Sequence, residues 1–430
     1  MRESHDTPHL VTTLMGPLKA IEKQILSHQN DIENWFKAQW QKTPAPFYGS
    51  VDLRNAGFKV APVDMNLFPA GFNNLKLNPA FIKLGANATL QTIKKFSQDA
   101  KKILLIPENH TRNQFYWQNI AALMEILTLA NYEVRLGSID PSLTEKFIIT
   151  QAEKDLIIYP IHKKNQKLQV EDFEAEVIIL NNDLSDGLPD ILQDIKQIIT
   201  PPAELGWSQR LKTQHFTHYA AVAKSFADLI KMDPWLIDPL FKKSADMNFM
   251  AGDGQADLAE QVDTLLHEIK QKYLEYDIQQ DPYVVIKANA GTYGMAVMMV
   301  KSAAQLTTLN RKQRTHMSKS KGGQSVSSVI IQEGVHTFEK WGQDNNVAEP
   351  VVYMIGERVI GGFYRIHKDK AFDENLNAPG MHFEPLAFAK PCDQPQASND
   401  ECQNRFYAYG VIARLSMLAA AREIASGVNA

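Results

Sequence analysis

Apolar residues recur at helical spacing over 17–42, where Leu18, Ile21, Ile25 and Leu26 form one stripe and charges take the other side. This predicts an amphipathic helix. The next segment, PAPFYGSVDLRNAGFKVAPVDMNLFPAGFNNL, mixes turn formers with isolated charges and aromatics. It predicts ordered loop and short strand. KKILLIP (101–107) has a buried-strand pattern. ENHTRNQFYWQNIAALMEILTLANY predicts a helix ending near Asn131, EVRLGS a second strand, Val177–Leu180 a third, and DILQDIKQII another helix. Strands alternating with helices predict a parallel sheet. Ligands of such sheets sit beyond the carboxyl ends of strands, which singles out Pro107–Arg112 and Asn181–Ser185.

Pro201-Pro202 marks a boundary, followed by a helical region to about Tyr276. Apolar runs then follow at 283–290, 295–300, 328–333, 349–355 and 358–367, spaced by turns. They predict an α+β region with an antiparallel sheet. The basic, Gly/Ser-rich MSKSKGGQS predicts a mobile loop, residues 389–404 another loop, and RFYAYGVIARLSMLAAAREIA a closing helix. The expected division is 1–200, an α/β domain with substrate-binding loops; 201–282, mainly helical; and 283–430, built on antiparallel sheet.

The 430 residues are 44% hydrophobic and 22% charged, as in ordinary globular proteins, and exceed one core. Lys plus Arg number 45 against 49 Asp plus Glu, so bulk charge does not suit a nucleic-acid coat. The two cysteines, Cys392 and Cys402, exclude a disulfide scaffold and a cysteine zinc cluster. The histidines show no HExxH spacing, and no zinc site is expected. No apolar run approaches the roughly 18–20 residues of a membrane span, and the polar N-terminus lacks a signal-peptide core. A cytoplasmic enzyme is the expectation.

The sharpest chemical feature is VVIKANAGTYGMAV. Lys287 ends an apolar strand, and Gly291 and Gly294 follow before a second strand begins. Glycines let backbone N–H groups approach an anion, and a lysine neutralises phosphate charge. A P-loop or a dinucleotide fingerprint would open a helix instead. The plain alternative is a tight hairpin with an exposed lysine. Further on, Gln332 and Glu333 end another apolar strand and could hydrogen-bond an adenine edge. Glu349 offers a carboxylate for Mg²⁺, and Arg365 a cation for a developing phosphate charge.

This order of lysine strand, glycine turn, QE strand end, acidic strand and GGFYR strand resembles the ATP-grasp ligases, most of all the glutathione synthetase branch. VDLRNAGFKVAPVDMNLFPAGFNNL, VIIQEGVHTFE with EPVVYMIGERVIGGFYRIH, and ENLNAPGMHFEPLA together resemble one bacterial glutamate–cysteine ligase family. The resemblance implies ATP- and Mg²⁺-dependent joining of the L-glutamate γ-carboxylate to the L-cysteine amine, the first step of glutathione synthesis. The implied fold is an α/β domain preceding an ATP-grasp-like module of antiparallel sheets. ATP-grasp chains commonly end in a Glu-x-Asn strand that holds Mg²⁺. This chain stops soon after its last helix, so Glu349 and Asn377, with Glu374 and Asn375, are the expected metal candidates.

In that frame Lys287 holds the α/β-phosphates, with Gly291, Thr292 and Gly294 as further donors and Lys212 facing phosphate across the cleft. Gln332 and Glu333 bind adenine, and Arg365 stabilises the transferring phosphoryl group. The substrate needs groups for α-carboxylate and α-ammonium. Arg54, Asn66, Asn73 and Arg112 are the chosen set, with Lys59, Asp52 and Asp64 beside them. Two other readings fit these residues: an ATP-grasp ligase with another acceptor, and an inactive nucleotide-binding protein. The residues set no oligomeric state, and a homo-oligomer is compatible with them.

Overall fold

The computed structural model describes residues 10–11, 17–75, 79–109, 113–150, 155–291, 296–319, 325–342, 344–371, 373–386 and 405–427. The parallel sheet is present. Its order is Ile198–Thr200, Val177–Asn181, Lys102–Pro107, Glu133–Ser138, Leu156–Pro160 and Phe147–Ile149, parallel but for the last strand. The helix Gln114–Leu129 starts at Asn113, whose side chain accepts from the Phe115 amide at 3.0 Å.

DILQDIKQII is not a helix. It forms one 3-10 turn at Asp190–Leu192 and the edge strand Ile198–Thr200. Its apolar spacing fits both states, and the open edge of the Val177–Asn181 strand decides for pairing. The segment 17–42 forms two helices, Pro17–Ser27 and Gln29–Lys42, that turn at His28. Ile21 and Ile25 are buried as expected.

The larger departure is the segment after residue 43, expected as ordered loop and short strand. Tyr48–Asn55 and Val60–Asn66 are full antiparallel strands. They add to Asn346–Ile355, which also pairs with Arg358–His367. The two strands are buried almost throughout, so their polar side chains look inward rather than to solvent. That inward polarity hid the strand period in the sequence. Strands from the first and last expected divisions thus share one antiparallel sheet of seven strands.

A smaller antiparallel sheet runs Phe241–Ser244, Val329–Glu333, Val284–Ala288, Val297–Val300, as the apolar runs predicted for its last three strands. The closing helix Arg405–Gly427 is buried on every side from Tyr407 to Ala421. It packs on the helix Lys212–Ile230 and on the strands 48–55 and 60–66. Arg414 on it makes a two-pronged pair with Glu33, at 2.8 and 2.7 Å. The architecture is mixed α/β with several sheets. No helix among the described residues is long and apolar enough to cross a membrane.

Candidate active site

The small sheet, the large sheet and the start of the helix Lys212–Ile230 face one cleft of about 1400 Å³. Successive side chains of a strand alternate faces, so Asp52 and Arg54 share the cleft side of theirs. The hairpin register sets Asp52 opposite Asp64 and Ser50 opposite Asn66. In the adjoining strands Glu349 stands opposite Arg365.

These register pairs form a charge chain. Arg365 Nη1 lies 2.8 Å from Asp52 Oδ2 and 3.7 Å from Glu349 Oε2. Glu349 also pairs with Arg54. Arg54 is otherwise committed to the Glu374 carbonyl, the Tyr283 hydroxyl at 3.0 Å and the Val335 carbonyl at 3.2 Å. Arg365 keeps a buried Nε without a protein partner among the described residues. An unpaired buried donor in a cleft is suited to an anionic ligand.

Across the cleft, Lys287 Nζ donates to the Val63 carbonyl and to Gln332 Oε1, both at 2.8 Å. Burial lowers Lys287 to about 8, with Asp64 opposing the shift and Lys212 and Arg54 adding to it. Burial alone would raise Asp64, but Lys212, Lys287 and Arg210 outweigh it and hold the carboxyl at about 2. Lys212 Nζ is 3.4 Å from Asp64 Oδ1. Asn289, just past Lys287, docks the helix start: its carbonyl takes the Lys212 amide at 2.8 Å and its side chain the Thr213 amide at 3.0 Å. Gly291 has φ +87°, open to glycine, and its N–H donates to the Trp207 carbonyl at 2.9 Å.

Of the sequence-predicted residues, Lys287, Gly291, Gln332, Glu333, Lys212, Arg54, Asn66, Asn73, Glu349, Asn377 and Arg365 line this cleft, as do Asp52, Asp64 and Asn375. Thr292, Gly294 and Arg112 lie outside the described residues. Three placements differ from expectation. The Glu333 carboxylate is turned to protein groups. It accepts from Lys59 Nζ at 2.7 Å, Trp235 Nε1 at 3.2 Å and the Leu240 amide at 3.0 Å, in a buried knot. Arg54 is spent on protein partners rather than turned to a substrate carboxylate. Glu349 is held between two arginines rather than open to a metal on the cleft side. Gln332 keeps a buried amide Nε2 without a protein partner among the described residues.

Among the described residues no three His, Cys, Asp or Glu side chains gather as a metal set. The oxygen donors that the hairpin aligns in the cleft are Asp52, Asp64 and Asn66; Asp52 pairs with Arg365 at 2.8 Å, Asp64 with Lys212 at 3.4 Å, and Asn66 Oδ1 accepts from the Phe68 amide at 2.8 Å, while their remaining lone pairs face the cleft as Mg²⁺ would need. Their signal was readable as Asp-x-Asn at 64–66, twelve residues after Asp52. It lay in a segment read as ordered loop and short strand, and its residues were assigned to the substrate instead. Asn289 and Arg210 were not selected as holding the site together, because their partners are remote in sequence.

A cleft that sets a lysine sheet against an arginine and carboxylate sheet defines an enzyme acting on phosphorylated and carboxylate substrates. The chain matches the profile of the glutamate-cysteine ligase family, GshA, over residues 22–424, and it belongs to that family. It is an ATP-dependent glutamate–cysteine ligase of glutathione biosynthesis. It is 51% identical to a Methylobacillus flagellatus KT protein provisionally named gamma-glutamylcysteine synthetase, whose crystal structure superposes with TM-score 0.88 over 97% of this chain and 99% of that one. A glutathione synthetase-like effector, GSS30, of Globodera pallida is 10% identical, with TM-score 0.36 over 86% of this chain and 80% of that one. D-alanyl-alanine synthetase A of Vibrio cholerae is also 10% identical, with TM-score 0.33 over 74% and 81%. Neither superposition is close enough to inform the fold. A search among curated proteins finds no match.

Proposed function

We propose that the chain clasps ATP between its seven-stranded and four-stranded antiparallel sheets in the ATP-grasp manner and activates glutamate as γ-glutamyl phosphate. The observation that carries this is the pairing of Lys287 on one sheet with Arg365 on the other across a single cleft. A γ-carboxylate oxygen of glutamate attacks the γ-phosphorus of ATP, and ADP leaves. The cysteine amine then attacks the acyl carbonyl, expels phosphate and gives up a proton. Chemistry of this kind asks the protein chiefly for position and charge.

Lys287 and Lys212 neutralise phosphate charge, and the Nε2 donor of Gln332 turns to adenine. Arg365, held in place by Asp52 and Glu349, faces the transferring phosphoryl group and then the acyl phosphate. Gly291 borders the phosphate site, and Thr292 and Gly294 are assigned to it from the sequence. Asn73 and Asn377 serve the substrate's α-groups, with Arg112 assigned to them from the sequence. Asp52, Asp64 and Asn66 would hold Mg²⁺, which when bound neutralises the β- and γ-phosphate oxygens. This hairpin takes the part that the last Glu-x-Asn strand plays in ATP-grasp chains. It supports the reading that it adds to the strand bearing Glu349 and packs on the closing helix.

Beside Arg365 the cleft wall turns apolar, with Phe363 on the same strand and Tyr353 and Phe383 on the strands flanking it. The acceptor's CH₂–SH group rests there, among rings that favour sulfur. A free thiol as acceptor fits a reducing, cytoplasmic compartment.

The test is coupled ADP release with L-glutamate, while the acceptor is changed among L-cysteine, 2-aminobutyrate, glycine and none. Turnover that needs glutamate and an acceptor, with γ-glutamylcysteine seen by mass, supports the reading. Hydroxylamine trapping of a γ-glutamyl hydroxamate without cysteine tests the acyl phosphate. ATP binding with no turnover on any acceptor would overturn it.

A further inference from the structure

Arg210 lies between three segments remote in sequence. Its Nη1 donates to the Met65 carbonyl at 2.7 Å. Its Nε and Nη2 grip Glu423 of the closing helix, both at 2.9 Å, and Nη2 lies 3.1 Å from His215 Nδ1. Glu423 Oε2 is also 3.3 Å from His215 Nδ1, and Ser416 Oγ takes the other ring nitrogen at 3.2 Å. Both charged side chains are nearly closed off, at 9% and 3% exposure.

Met65 is the residue between Asp64 and Asn66, and Lys212 follows Arg210 by two residues. We infer that Arg210, gripped by Glu423, is a positioning residue: it pins the Met65 carbonyl and thereby sets Asp64 and Asn66 for the cation and Lys212 against Asp64. The inference rests on the reading of Asp64 and Asn66 as cation ligands.

The physical case is one of geometry rather than stability. A buried ion pair gains little over apolar residues of the same volume, so its presence calls for another use. A two-pronged arginine–carboxylate pair fixes direction as well as distance. Here the remaining guanidinium N–H is aimed at the backbone of the strand that carries the two donors. Partners that orient metal ligands in this way matter by about 10–100-fold in metal affinity or activity.

Three variants test it in the full enzyme: Arg210→Lys, Arg210→Met with Glu423→Leu, and Asp64→Asn. Each is read by Mn²⁺ binding with an ATP analogue bound, by the Mg²⁺ concentration for half-maximal turnover, and by the glutamate KM. The double variant removes both charges together, and its melting temperature reports folding. The expected result is a rise of about 10–100-fold in the metal requirement for the double variant and a smaller rise for Arg210→Lys. The glutamate KM at saturating metal stays near the parent value. Asp64→Asn loses Mn²⁺ binding. Should the double variant not fold, Arg210→Lys is read in the same way. A parental metal requirement in the Arg210 variants beside a defective Asp64→Asn overturns the positioning role alone. Parental Mn²⁺ binding in Asp64→Asn overturns the cation reading, and the positioning role with it.

Discussion

Glu349 stands opposite Arg365 across two antiparallel strands, with 3.7 Å between carboxylate and guanidinium, while Arg54 holds it from the other side. A carboxylate so neutralised serves to aim Arg365. Burial alone would lower the Arg365 pKa, but Asp52 and Glu349 outweigh it, so the side chain stays charged.

Replacing Arg365 by Ala should therefore reduce turnover by roughly 2.7–4 kcal/mol in barrier, about 10²–10³-fold. Steady-state kinetics with saturating ATP and glutamate read this directly. A rate within a few fold of the parent would exclude Arg365 from the phosphoryl transfer.

Asp64→Asn and Glu349→Gln separate the two metal assignments. Loss of a cation ligand removes several kcal/mol of charge stabilisation, so Asp64→Asn should lower turnover about 10²-fold or more. It should also raise the Mg²⁺ requirement. Glu349→Gln should lower turnover through Arg365 while leaving the Mg²⁺ half-saturation unchanged. The opposite pattern would return Glu349 to the metal.

The pH dependence of nucleotide binding should follow Lys287. Its charge is present below about 8 and lost as pH rises through that value. ATP KM should therefore climb above pH 8, and Lys287→Arg, which stays charged, should flatten the climb. In the free enzyme the sign for stability is opposite. Between about 8 and 10.5 the unfolded chain binds the proton that the folded chain has released, so this lysine makes stability rise with pH there. Denaturant titrations of the parent and Lys287→Met across that window check it.

Lys59 and Glu333 form a buried pair, each side chain 1% exposed. Lys59→Met strands the carboxylate and should lose about 3–5 kcal/mol of folding stability. Lys59→Met with Glu333→Leu should recover much of that loss. Urea unfolding of the parent, single and double variants measures both. If the single variant kept full stability and lost only ATP affinity, Glu333 would belong to the nucleotide site after all.

Acceptor choice should track the apolar wall by Phe363 and Phe383. Changes of one methylene-sized group in such a pocket are worth about 1–3 kcal/mol. 2-Aminobutyrate should be accepted in place of cysteine, and serine should be poorer than both. Phe383→Ala should lower kcat/KM for cysteine and leave the ATP KM unchanged. Competition assays with equal acceptor concentrations decide this.

The chain's own order of residues determined much of this protein. Apolar runs marked the parallel strands at 102–107 and 177–181, the alternating EVRLGS the one at 133–138, and apolar runs again the lysine, glutamine and arginine strands of the antiparallel sheets that face the cleft. Those signals are local, carried by period and by glycine. The resemblance in sequence to glutamate–cysteine ligases was also legible, since it rests on strings of residues. What the tertiary structure decided was the partner of each charge. Asp52 and Asp64 became neighbours because residues 48–55 pair with 60–66, and both joined the Arg365 sheet through residues 346–355, nearly three hundred positions away. Glu333 pairs with Lys59, and Glu349 with two arginines, partners no local pattern announced. A charge in a sequence reads the same whether it meets solvent, a ligand or an opposite charge. Only the fold sets which of these lies within a few ångströms, and at that range the Coulomb energy decides.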